Sequence, residues 1–126
     1  MDNLRIQGEK NTFFIPTVDF SSETGICVLK GESYLEDTFS FYQKLENWFK
    51  EFTKTKKPIT FNIGLSYFNT SSSRSILDLL MVLKKYADDG GSVTVNWHLE
   101  NWDDDMKLEV EDFSADSGLT INTEVS

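Results

Sequence analysis

The chain has 126 residues, 39% hydrophobic and 26% charged, which fits one domain over residues 1–126 with one core, and it has no apolar run long enough to cross a bilayer. A net charge of −9 argues against nucleic acid as a partner, because binding a phosphate backbone needs clustered lysine and arginine. The lone Cys27 rules out an internal disulfide, and the start, Met1-Asp2-Asn3-Leu4-Arg5-Ile6, lacks the basic opening and apolar stretch of a signal peptide, so a cytoplasmic protein is expected.

The first third predicts β structure. Residues 4–8, 12–20 and 25–30 are apolar or β-branched runs, separated by the turn-like clusters Glu9-Lys10-Asn11 and Ser21-Ser22-Glu23-Thr24. Residues 37–53 predict an amphipathic helix: Phe41, Leu45, Trp48 and Phe52 fall on one stripe, widened by Tyr42 and Phe49, and Thr55-Lys56-Lys57-Pro58 ends it. Residues 59–65 and Val93–Leu99 alternate large apolar with small or polar residues, so each strand buries one face and leaves the other lightly covered. Between them a helix runs over 71–87, stopped by Asp88-Asp89-Gly90-Gly91; strand, helix and strand at this spacing form a right-handed parallel unit. A short acidic helix around 106–115 and a strand over 119–125 complete an α/β (α+β) fold, a mixed sheet of about five or six strands with helices mainly on one face.

Charge is uneven along the chain. Between Glu100 and Asp116 eight acids stand against one base, Lys107, which supplies −7 of the net −9. Asp103-Asp104-Asp105 is contiguous, whereas a calcium loop spaces its ligands at alternate positions; a solvated turn that caps the next helix is the plainer reading, and a metal-dependent enzyme built on Asp103 to Asp105 the less favoured one. His98 points outward on a strand with no nucleophile pattern around it, Cys27 lies in an apolar strand, and no glycine-rich phosphate loop occurs. No enzyme and no cofactor is expected.

One cluster exceeds what structure alone asks for. Asn69-Thr70-Ser71-Ser72-Ser73 sits where a strand hands over to a helix N-terminus, and one cap explains one of these five polar residues. Free N–H groups and the helix dipole make that position tolerant of a negative group such as a phosphate. Thr70, Arg74, Leu77, Met81 and Lys85 follow on one flank of the helix, off the core stripe of Ile76, Leu79, Leu80 and Leu83. An apolar pair beside a hydroxyl and two bases reads either as a partner-docking face or as residues packed under a neighbouring segment.

The chain resembles the SiaC family of bacterial regulatory phosphoproteins, whose fold looks like the STAS domains of anti-sigma-factor antagonists. The residues that carry the likeness are Gly31-Glu32-Ser33-Tyr34-Leu35-Glu36 with Phe41-Tyr42, then Leu65-Ser66-Tyr67-Phe68-Asn69-Thr70-Ser71-Ser72-Ser73, then Val95-Asn96-Trp97 with Asp103-Asp104-Asp105-Met106 and Glu111-Asp112-Phe113. The family usually has proline where this chain has Leu35 and glycine where it has Val110. The resemblance implies a non-enzymatic switch, phosphorylated on Thr70 by a dedicated protein kinase and dephosphorylated by a PP2C-type phosphatase. It implies that the unphosphorylated form binds and activates a diguanylate cyclase, with biofilm formation downstream; an anti-sigma-factor antagonist is the alternative. Asn69, Ser71, Ser72 and Arg74 are then the residues expected to support the phosphate, and Tyr67, Leu77, Met81 and Lys85 those expected to meet a partner.

Overall fold

In the computed structural model, which describes residues 1–101 and 103–125, five strands come first: Leu4–Ile6 (β1), Glu9–Lys10 (β2), Phe14–Ile15 (β3), Thr17–Phe20 (β4) and Ile26–Ser33 (β5). Thr38–Thr53 (α1), Ile59–Phe68 (β6), Thr70–Asp88 (α2), Val93–Leu99 (β7), Asp104–Ser117 (α3) and Ile121–Val125 (β8) follow. Six strands form one sheet in the order β1-β4-β5-β6-β7-β8; β5 to β8 are parallel, and β4 runs antiparallel to both its neighbours, β1 and β5. Successive right-handed crossovers put all three helices on the same face, with α1 against α2 and α2 against α3.

The alternation of β6 sets the core. Ile59, Phe61, Ile63 and Leu65 are buried under the helices, while Thr60, Asn62 and Gly64 face the uncovered side. On that open face Asn62, Asn96 and Asn122 are in register and bonded side to side, Asn96 Nδ2 to Asn62 Oδ1 at 2.9 Å and Asn122 Nδ2 to Asn96 Oδ1 at 3.1 Å. His98 lies there too, 3.1 Å from Glu124. On the covered side, Phe49 of α1 stacks on Phe20 at 5.0 Å and meets Phe61 edge-on at 5.1 Å. Each such ring contributes about 1.5–3 kcal/mol through burial. Cys27 is fully buried in the same core, and burial pushes its thiol well above its ordinary pKa, as expected of a structural cysteine.

Two differences from the sequence pattern have clear causes. The run 12–20 is not one strand: Pro16 has no N–H to give a ladder, and β3 before it pairs with β2 in a separate two-stranded sheet, whereas β4 after it joins the main sheet. β6 continues to Phe68, past the last alternating residue. Its register to β5 jumps from Gly31↔Leu65 to Glu32↔Tyr67, so Ser66 is a bulge and inside and outside exchange beyond it. Phe68 therefore points inward, onto Trp97 and Phe113, and Tyr67 points out.

The helices are capped by the residues their sequences offer. Asp37 accepts from Ser40 N at 3.1 Å and Ser40 Oγ at 2.8 Å, which holds its carboxyl below the usual carboxylate range. Asp103 accepts from Met106 N at 2.9 Å and caps α3, leaving Asp104 and Asp105 exposed in its first turn. Among the described residues no three metal-ligating side chains converge. Val110 is buried at 1% exposure on the core side of α3, and Leu35 packs half-buried against the core. No helix among the described residues is long and apolar enough to cross a membrane.

Candidate functional site

The C-terminal ends of β5 and β6, the central strands, and the N-terminus of α2 meet at one end of the sheet. Asn69 is the N-cap: its Oδ1 accepts from Ser72 N at 3.0 Å, and its backbone carbonyl accepts from Ser73 N at 2.9 Å. The amides of Thr70 and Ser71, the first two of the helix, remain unspent by the cap and face the same end as the helix dipole's positive pole. Replacing Asn69 by alanine is expected to cost about 1 kcal/mol, a fall in melting temperature of roughly 3–5 °C read by a thermal melt. An unchanged melt would show that the cap does not hold this end.

The four hydroxyls differ sharply in their surroundings. Thr70 is exposed, and its hydroxyl has no hydrogen-bond partner among the described residues. Ser71 is also exposed, but its Oγ donates to Asn69 Oδ1 at 3.3 Å and sits 3.0 Å from Thr38 Oγ1 of α1. Ser73 is half-buried. Ser72 is fully buried: its Oγ donates to the carbonyl of Ser33 at 3.2 Å and accepts from Ser33 Oγ at 2.8 Å. With its only proton given to Ser72, Ser33 Oγ accepts from Tyr42 Oη at 2.7 Å, which closes a chain of three hydroxyls joining α1, β5 and α2. Burial pushes the pKa of the Tyr42 hydroxyl up to about 12, against the opposing pull of the hydroxyls it meets, so it stays a donor.

Along α2, Arg74 is extended into solvent and pairs loosely with Asp78 at 3.4 Å. Leu77 is half-buried against the core, Met81 is 46% exposed, and Lys85 is exposed near the far end of the helix. Tyr67 is apart from them. The bulge sends it to the open face, where it neighbours Tyr34, with ring centroids 6.5 Å apart, and Tyr34 stacks on Phe13 at 5.9 Å. Thr70 and Arg74 are thus together, Met81 and Lys85 continue the same helix, and Tyr67 belongs to a second, aromatic patch with Tyr34 and Phe13.

Residues beyond the hydroxyl cluster complete the site. Thr70, Ser73, Arg74 and Leu77 form one wall of a cleft of about 340 Å³, and Glu109, Asp112, Phe113 and Asp116 of α3 form the other. The three acids are spaced three and four apart, which places them on one face of α3. That spacing is visible in the sequence as an acidic segment; its apposition to Thr70 depends on the packing of α3 against α2.

Comparisons with known proteins bear on the fold and the family. An uncharacterised protein of Pseudomonas aeruginosa (strain UCBPP-PA14) is 26% identical over 117 residues, 92% of this chain and 90% of that protein. SiaC of Pseudomonas aeruginosa has the same fold, with a TM-score of 0.89 at 24% identity over 100% of both chains. A chain in the crystal structure of the Pseudomonas aeruginosa diguanylate cyclase SiaD in complex with its activator SiaC matches with a TM-score of 0.90 at 23% identity, over 98% of this chain and 99% of that one. A family model described as SiaC family regulatory phosphoprotein matches residues 6–125, and on that match the chain belongs to the SiaC family.

Proposed function

We propose that this protein is a non-enzymatic regulator of a diguanylate cyclase, switched by reversible phosphorylation of Thr70. The observation that carries the reading is the state of the Thr70 hydroxyl: exposed, unpartnered among the described residues, and seated on the N-terminus of α2, while Ser72 is buried and Ser71 is engaged. The cyclase as partner is supported by the solved complex of the related SiaC with SiaD. A kinase transfers the terminal phosphoryl group of a nucleoside triphosphate to Thr70 Oγ1, the hydroxyl proton passing to the kinase's base. A PP2C-type phosphatase returns the group to water as inorganic phosphate.

The phosphate adds about −1.5 to −2 of charge. Two unspent amides and the guanidinium of Arg74, one turn on, favour it locally, and Arg74 gives up little by leaving an exposed pairing with Asp78. The new charge shares a cleft with Leu77, so a partner that buries this end of the flank meets desolvation and repulsion. Thr70→Ala is expected to bind and activate a diguanylate cyclase from the same cell as wild type does, and Thr70→Glu or phosphorylated protein to bind at least about tenfold more weakly, roughly 1.4 kcal/mol. Calorimetry and cyclic-di-GMP production measure the two. Equal binding by all forms would overturn the reading.

A further inference from the structure

We infer that α3 is the element a phosphate on Thr70 displaces, an inference that rests on Thr70 being the phosphorylated residue. Glu109, Asp112 and Asp116 share one cleft with Thr70 and Arg74. A dianionic group placed there faces three carboxylates across an open cleft of about 340 Å³ and one guanidinium on its own helix. Arg74 favours the phosphate where it is, and the acids on the opposite wall have no salt-bridge partner among the described residues. Repulsion then acts between two elements, α2 and α3, and the one more weakly held gives way.

Several features make α3 that element. It buries Met106, Val110, Phe113 and Ser117, against six buried residues in each of α1 and α2. Its last turn has no basic residue, although Asp112 and Asp116 lie in its C-terminal half, where the dipole disfavours negative charge. Asp105 and Glu109, and Asp112 and Asp116, are like-charged pairs four residues apart, which weakens the helix further. Beneath it, Trp97 stacks on Phe113 at 5.7 Å with its buried Nε1 unpartnered among the described residues, so this seat holds a polar group that tight packing leaves unsatisfied. Gly118, in the left-handed region at φ 77°, ends the helix and can act as its hinge. Displacement of α3 bares Leu77 and Phe68 beside the phosphate, so phosphorylation changes the shape of the partner-facing surface as well as its charge.

Protein carrying phosphothreonine at position 70, installed during synthesis by codon reassignment, tests this against unphosphorylated protein by peptide-resolved amide hydrogen exchange. Exchange over residues 104–117 is expected to accelerate roughly tenfold or more on phosphorylation, with α1 unchanged. In the Glu109→Gln, Asp112→Asn, Asp116→Asn triple variant, phosphorylation is expected to change α3 exchange by less than about twofold. Equal α3 exchange in the two wild-type forms, or the same acceleration in the triple variant, would overturn the inference. Binding of the same samples to the cyclase separates this from the function proposed above. Binding lost with α3 exchange unchanged sinks the α3 inference alone. Accelerated α3 exchange with undiminished binding upholds it and sinks the switch.

Discussion

Ser72→Asp is expected to unfold the protein or to lower its melting temperature by more than about 10 °C, whereas Ser71→Asp and Thr70→Glu leave it within a few degrees of wild type. The three residues are adjacent, and only their surroundings differ. A carboxylate at position 72 would be fully buried, would face the Ser33 carbonyl that Ser72 Oγ now donates to, and would break the hydroxyl chain to Tyr42. An uncompensated buried charge costs about 3 kcal/mol or more, and the fold has no cation there to offset it among the described residues. Ser72→Asn separates charge from size: it is expected to be less damaging than aspartate above pH 7. Circular-dichroism melts of the variants decide the matter, and a stable Ser72→Asp protein would show that the α2 N-terminus rearranges freely. The consequence for function is direct. A kinase that meets the folded protein cannot modify Ser72.

Phe49→Ala is expected to cost about 3–5 kcal/mol, while Phe39→Ala in the same helix costs no more than about 0.5 kcal/mol. Phe49 is fully buried and is held between Phe20 and Phe61, joining α1 to β4 and β6; Phe39 is 72% exposed. Removing the Phe49 ring takes away its burial and leaves a cavity that rigid aromatic neighbours do not fill. Denaturant midpoints at constant slope measure the difference. Similar costs at the two positions would mean that α1 is not seated through its aromatic stripe.

Both predictions turn on something the chain's local pattern conveys unevenly. Periodicity identified α1 by Phe41, Leu45, Trp48 and Phe52, and α2 by Ile76, Leu79, Leu80 and Leu83, because burial of one helix face imposes a 3.6-residue repeat whatever lies opposite. It identified β6 and β7 for the corresponding reason, with one sheet face covered and the other open. It stopped at Leu65 because the bulge at Ser66 reverses the alternation, and a bulge has no signature in residue type at that position. It also ran β3 and β4 together, although Pro16 marks the division.

The hydroxyl cluster shows the same boundary more finely. That Asn69-Thr70-Ser71-Ser72-Ser73 begins a helix and suits a negative group follows from the chain alone, because capping depends on residues a few positions apart. Which hydroxyl is free does not. Ser33 and Tyr42 are 39 and 30 positions from Ser72, and Glu109, Asp112 and Asp116 come from another helix. The sequence by itself determined the three helices, the alternating strands, the acidic end and the run that holds Thr70, because each rests on near neighbours. The tertiary structure alone decided that Ser72 is buried, that Tyr67 and Met81 lie on separate surfaces, and that the acidic end faces Thr70, because these depend on which distant segments the sheet brings side by side.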